Sequence, residues 1–251
     1  ELKSEFGRYL VVFVMMAITI GFVSGFLVAD GSMLRAYDDS FQKYNIEDGY
    51  FQTKKKLTPA QKEDIEKSDV KVYENFYIEQ KLTNGSTIRF FENRKEVDKV
   101  CLMKGKMPKK SGEIAVDRMY ADNNELKVGD TVKSRKKTFR ITGLVALSDY
   151  SALFQNNNDT MFDAVKFGVA IVTDKDFEAL NQVKIQYNYA WIYDKKPATE
   201  KKEKKMAEDL MEDMADVVTI ESFVPQYQNQ SIHFTGDDMG SDRAMIVMLL
   251  Y

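Results

Sequence analysis

The chain of 251 residues holds one cysteine, Cys101, and one histidine, His233. A single cysteine excludes an intrachain disulfide and leaves the redox compartment open. A single histidine excludes a multi-histidine metal site, and it makes a serine triad depend on one residue with no local signature. Phosphate-binding loops are missing too. There is no GxxxxGK[ST] and no GxGxxG after a strand, so the chain does not itself hold ATP or a dinucleotide in those ways. Nor is one sign of charge in excess. Lysine and arginine number 36 against 39 aspartate and glutamate, a net charge of -3, without the basic stripe of a nucleic-acid binder.

What the chain does have is one long uncharged run, Tyr9 to Ala29, YLVVFVMMAITIGFVSGFLVA, bracketed by Arg8 and Asp30. As a helix it is about 31 Å long, close to the hydrocarbon thickness of a bilayer. A secretory signal has an apolar core of only about 7–15 residues and a small-residue cleavage site. Val28-Ala29-Asp30 makes a poor one. Residues 9–30 are therefore expected to form a retained transmembrane helix, after a short cytosolic segment 1–8. Within it Ala17, Gly21, Gly25 and Ala29 recur every four residues, and Gly21-Phe-Val-Ser-Gly25 is a GxxxG pattern. Small residues on one face let a second helix approach closely, so this stripe is expected to pack against a partner.

The last eight residues, Ala244-Met-Ile-Val-Met-Leu-Leu-Tyr251, are apolar but span only about 12 Å as a helix. Residues 241–251 are expected to begin a second, truncated transmembrane helix, with Ser241 or Asp242 as its cap. Asp38-Asp39 and Asp237-Asp238 flank the two membrane segments and are expected to be solvated. With 30% of its residues charged, most of the chain belongs in water.

Between the helices the local signals alternate. Tyr37, Phe41, Tyr44, Tyr50 and Phe51 are expected in the core of the next domain. Thr58-Pro59-Ala60-Gln61 has the cap, first-turn proline and capping box of a helix start, running to about Ser68. Val70 to Leu82 alternates at the period of a half-buried strand, and Asn84-Gly85 turns it into a hairpin with Thr87 to Glu92. Short β-like pieces continue the chain from Cys101. Phe167 to Val172 reads as a buried strand, Asp174 as the cap of a helix to Leu180, and Lys184 to Tyr193 as another strand. Ala198 to Ala215 is amphipathic, with Met206, Ala207, Leu210, Met211 and Met214 on one face. Its lysines come first and its acids last, against the helix dipole, so burial of the methionine face must hold it. Val217 to Ile220 is expected to be the last strand. The pattern is α+β with a β-rich insert. Trp191, the only tryptophan, is expected to pack rather than bind. A catalytic role for His233 is not supported by any neighbouring signature.

Gly105-Lys-Met-Pro108, Ser111-Gly-Glu-Ile-Ala-Val-Asp117, Leu126-Lys-Val-Gly-Asp130 and Phe139-Arg-Ile-Thr-Gly143 stand in a fixed order, and Gly236-Asp-Asp-Met-Gly-Ser-Asp242 leads into the closing apolar run. This series resembles the extracytoplasmic domain of ABC transporter permeases of the FtsX-like, MacB-like family. The resemblance implies a ferredoxin-like lobe from about Asp48 to Lys99 and Phe162 to Phe223, with a small β-rich lobe inserted at about 101–155. It implies an extracytoplasmic domain over 31–240, outside the cell membrane, relaying ATP-driven motion to a substrate. It implies a cytosolic ABC ATPase subunit, a second permease half or homodimer partner, and membrane lipid around the helices. It offers no catalytic, cofactor-binding or metal-binding residue and implies no enzymatic activity of the chain's own. Helix, ectodomain, helix is also the layout of a membrane receptor or sensor kinase. A permease would continue beyond Tyr251 into further membrane helices, and a sensor would continue into a charged coiled coil.

Overall fold

The computed structural model describes residues 6–134, 137–180 and 182–249. The chain divides into two compact units, one made of the segments up to Ser40 and from Thr235 onward, the other of Phe41–Phe234.

The first unit is helical. Helix α1 is Phe6–Lys43, 38 residues or about 57 Å, and so continues well past Asp30, where the membrane span was expected to end. The reason is local. Residues 31–43 contain no proline, and Met33, Leu34, Arg35, Ala36, Gln42 and Lys43 all favour helix, against about 1 kcal/mol for Gly31. The closing helix, Gln230–Leu249, likewise starts earlier than residue 241. Asn229 caps it by accepting the Ser231 N–H at 3.0 Å, which leaves Ser241 and Asp242 inside the helix. Residues 250–251 of the expected second span lie outside the described residues. Gly236 sits against the Tyr37 ring so closely that a Cβ there would fall 2.7 Å from a ring carbon.

In the second unit, β1 (Gly49–Thr53), α2 (Pro59–Glu66) and β2 (Val70–Glu74) are followed by β3 (Tyr77–Lys81) and β4 (Thr87–Phe91). Next come β5 (Cys101–Gly105), β6 (Glu113–Asp117), α3 (Arg118–Asn123), β7 (Thr131–Lys133) and β8 (Thr138–Ala146). The chain continues through β9 (Phe167–Val172), α4 (Asp174–Glu178), β10 (Ile185–Tyr193), α5 (Glu200–Ala215) and β11 (Ile220–Pro225), and α6 is the closing helix. The capping box on α2 forms as expected, Thr58 and Gln61 each accepting from the other's backbone N–H. The α4 cap is Thr173, one residue before Asp174. The last strand begins at Ile220, because the N–H groups of Val217 and Val218 close the α5 terminus on the Met214 carbonyl instead. Met211 remains exposed, while Ala207, Leu210 and Met214 carry the buried face of α5.

Strands β11-β1-β10-β2 pair in that order, all antiparallel, with α2 and α5 in the β–α–β connections on either side. Phe51, Tyr189, Trp191, Leu210 and Met214 form their core, Phe51 stacked on Tyr189 and Trp191 on Phe223. A second sheet runs β3-β4-β9-β6-β8-β5, with β7 on β8. It therefore takes in strands on both sides of the expected insert 101–155. The cause is β10, whose first residues pair with β3 while its remainder pairs with β1 and β2. The alternation from Val70 to Leu82 becomes two strands with one register: Tyr189 faces Glu74 and Gln186 faces Tyr77, and Asn75 N–H reaches Asn188 O between them at 2.9 Å. Of the β-like pieces expected after Cys101, residues 126–130 form a turn, and α3 is a short helix between two of them.

Gly49 lies under Trp191, where a Cβ would come 2.3 Å from the indole ring and 2.7 Å from the Val224 carbonyl. Gly49→Ala is expected to lower stability by about 1–3 kcal/mol through overpacking. Gly21→Ala, whose Cβ meets nothing within 4 Å, leaves it unchanged. Urea unfolding of the full chain in detergent micelles, followed by Trp191 fluorescence, checks both.

Candidate functional site

The chain enters and leaves the second unit at one place, with the Phe41 and His233 rings 6.5 Å apart. After α1 the backbone turns at Asn45, which takes a left-handed φ of 50°. Residues 44–47 are then strapped to 96–99. Lys99 N–H bonds Tyr44 O, Asp98 N–H bonds Asn45 O, and the Asp98 carboxylate accepts the Glu47 N–H at 2.9 Å. Asp48 accepts the Tyr193 N–H at 2.8 Å and pairs with Lys196. On the outgoing side Ser151 Oγ lies 2.8 Å from the carbonyls of both Ser231 and Ile232. Asn157 bonds Gln228 O and the Gln230 N–H. Phe154, Phe162 and Phe234 close a triangle of rings with centroids 5.4–5.7 Å apart. Asn229 Nδ2 reaches the Glu47 carboxyl at 3.3 Å, joining the incoming and outgoing segments directly.

Behind this joint sits a buried charge cluster. Arg94 holds Asp149 through two bonds of 2.6 and 2.8 Å, both side chains almost fully buried. Glu47 and Asp98 are buried beside them, so one guanidinium serves three carboxyls. Burial, then Asp149, pushes the Asp98 carboxyl up to about 7. Burial, then Asp98 and Asp149, holds Glu47 well above the usual carboxylate range. A second buried cation, Arg89, donates to Glu79 at 2.6 and 3.0 Å, to the Tyr150 hydroxyl at 2.6 Å and to Gln155 O at 2.8 Å. Its guanidinium lies 4.1 Å from the centre of the Tyr77 ring, a cation–π contact.

Between these groups lies a cavity of about 380 Å³. Its floor is the face of the four-stranded sheet opposite the helices. Gln52 stands between Asn188 and Ser222 on the neighbouring strands, and Tyr50 lies two residues along on the same face. Its roof is the loop Gln155 to Asn158.

The residues singled out in the sequence lie elsewhere. Ala17, Gly21, Gly25 and Ala29 are exposed along α1, with nothing within 4 Å of a Cβ placed on either glycine. Val23, Leu27, Asp30, Leu34 and Tyr37, partly or fully buried, lie on a different face of that helix, and one Asp30 carboxylate oxygen has no partner. Asp38, Asp39, Asp237 and Asp238 are exposed. Trp191 is packed on Phe223, and the His233 ring lies beside that of Phe41. Among the described residues no group of three or more His, Cys, Asp or Glu is placed to hold a metal ion. The joint and the cavity went unmarked in the sequence, because their members are scattered from Asn45 to Ser231 and share no motif.

The chain is thus an α+β body joined to α1, which among the described residues is the one helix long and apolar enough to cross a membrane. Compared with protein-family profiles and with curated proteins, the sequence has no match. Among solved structures it is similar to the periplasmic region of MacB from Actinobacillus actinomycetemcomitans, at 13% identity and a TM-score of 0.35, over 69% of this chain and 87% of that one. It is also similar to the extracellular domain of the noncanonic ABC-type transporter YknZ from Gram-positive bacteria, at 11% identity and a TM-score of 0.33, over 69% of this chain and 98% of that one. Both are extracytoplasmic parts of their proteins.

The carboxyl cluster sets a pH dependence. A buried acid whose pKa is raised binds more protons folded than unfolded, so its contribution is complete below the unfolded value near 4 and is lost as pH rises through the folded value. With Asp98 at about 7, the urea midpoint of the second unit is expected to fall between pH 5 and pH 8. Asp98→Asn, which keeps an acceptor for the Glu47 N–H and cannot ionise, flattens that slope. Urea titrations of both proteins across that pH range measure it.

Proposed function

We propose that this chain is the first membrane helix and the extracytoplasmic domain of an ABC transporter permease subunit, and that the domain relays ATP-driven motion to a substrate outside the bilayer. The observation that carries this reading is the joint. A helix with a membrane-length apolar run leads into the folded unit beside the point where the outgoing segment leaves it. The incoming segment is bonded to the loop 96–99, the outgoing one to the loop 151–157, Asn229 joins the two segments at Glu47, and Arg94 with Asp149 joins the two loops. A displacement of either segment has to be taken up by those loops. In a ligand sensor with independently folded ends such direct bonding of the two segments, Asn229 to Glu47, has no role.

In this reading β1, α2, β2, β10, α5 and β11 are the ferredoxin-like lobe. Its support is the doubled β–α–β order with strands β11-β1-β10-β2. The β-rich lobe is the second sheet. The large domain, about 31–240, lies outside the cell membrane, with 9–30 crossing it, 1–8 in the cytosol and 241–251 beginning the second span. The chain works without a catalytic residue, beside a cytosolic ATPase subunit and a second permease half. The open stripe Ala17, Gly21, Gly25 and Ala29 is the face offered to that second half.

The full-length protein, purified in mild detergent, is expected to bring an ABC ATPase subunit with it. Reproducible recovery without one counts against the transporter assignment and in favour of the sensor. Gly21→Leu with Gly25→Leu is expected to weaken association between permease helices by about 1–2 kcal/mol while leaving the folded domain intact. Cross-linking in membranes and urea unfolding separate the two effects.

A further inference from the structure

We propose that the cavity between the sheet face of Tyr50, Gln52, Asn188 and Ser222 and the loop Gln155 to Asn158 is a binding site for a neutral, hydroxyl-rich molecule of mono- to disaccharide size. The site stands on the geometry of the cavity and is independent of the transporter reading.

Four properties of the lining select this class of ligand. The first is neutrality. The charged groups at the cavity wall are already matched, Arg89 by Glu79 and Asp149 by Arg94, so no free charge is offered to an ion. Glu47, the remaining carboxyl, is held toward its protonated form by burial and by Asp98. The second is the type of hydrogen bond. Side-chain amides and hydroxyls carry donors and acceptors side by side, which suits sugar hydroxyls, since each of these both donates and accepts. Gln52 uses its N–H groups on Asn188 and Tyr77, at 3.2 and 3.1 Å, leaving its carbonyl and the Asn188 amide nitrogen unused. The Tyr50 and Ser222 hydroxyls and the Asn158 amide have no partner among the described residues.

The third property is rigidity. Tyr50, Gln52, Asn188 and Ser222 are carried on three paired strands whose other face is packed by Phe51, Tyr189 and Trp191, so the floor is fixed before anything binds. The fourth is strand pairing. β1 and β10, which carry Tyr50, Gln52 and Asn188, are paired on both sides, so an extended peptide finds no backbone ladder to join on these strands, the end strand β11 that carries Ser222 lying at the margin of the floor. At about 380 Å³ the volume is at the small end of ligand sites, enough for one or two sugar rings. A wider groove of about 710 Å³ shares Gln52, Tyr77, Arg89, Gln155 and Asn156 with the cavity and gives it an approach from solvent.

The test is calorimetric titration of the full chain in detergent micelles with N-acetylglucosamine and with its β-1,4-linked dimer, and with trialanine as the peptide probe. Saturable binding of a saccharide probe, with Kd between about 0.01 and 1 mM, is expected. Tyr50→Phe removes one hydroxyl, and Asn188→Leu removes the amide at nearly constant volume. At least one of them is expected to weaken binding about tenfold. Circular dichroism confirms that each variant is folded, and if Asn188→Leu is not, Tyr50→Phe decides alone. The proposal is overturned by no saturable response up to about 10 mM, which is the behaviour of a cavity holding only water. It is equally overturned by binding that both folded variants retain in full, or by binding of trialanine without either saccharide.

Discussion

Strand β10 is the member on which the rest of the second unit depends. Its nine residues serve two sheets, Ile185 and Gln186 pairing with β3 while Tyr187 to Tyr193 pair with β1 and β2. The long partner strand, split at Asn75 and Phe76, keeps one register against it throughout. Because a strand's side chains alternate, this single pairing fixes which residues face the helices and which face away. Tyr189 and Trp191 are sent to the helix side and form a core with Phe51, Leu210 and Met214. Asn188 is sent to the other side, beside Gln52, and the polar cavity results from that placement.

A sheet face lined by Tyr50, Gln52, Asn188 and Ser222 cannot close on an apolar layer without leaving hydrogen-bonding groups unmet. The loop that covers it is polar as well, and the space between stays open. The charges around the space are settled among themselves. Arg89 and Arg94 are each buried with a carboxylate partner, an arrangement that specifies position more than it adds stability. Glu47 and Asp98 remain as a surplus of buried carboxyl groups at the point where the chain enters the unit. A joint of this kind is stiff in geometry and sensitive to protonation.

Some of this was legible from residue order. The capping box at Thr58 and Gln61, the Asn84-Gly85 hairpin and the continuous apolar strand Phe167 to Val172 are local features, and each formed as read. The helix ends at the membrane boundaries were not legible. Both helices run on into what looked like polar linkers, because neither linker holds a proline to stop a helix. The candidate site was hidden for a different reason. Glu47, Asp98, Asp149 and Asn229 lie up to 182 positions apart and look like ordinary polar loop residues.

The sequence by itself determined that this chain carries a membrane-length apolar helix and an α+β body, since hydrophobic length and periodicity are properties of neighbouring residues. Its motif order also pointed to the transporter-permease class. Only the tertiary structure decided that one strand belongs to two sheets, that the incoming and outgoing segments meet at a shared joint, and that a row of uncharged polar groups faces a cavity under a loop. Those are consequences of long-range strand pairing and burial. No short stretch of sequence encodes them, because each depends on which distant residue the fold sets opposite.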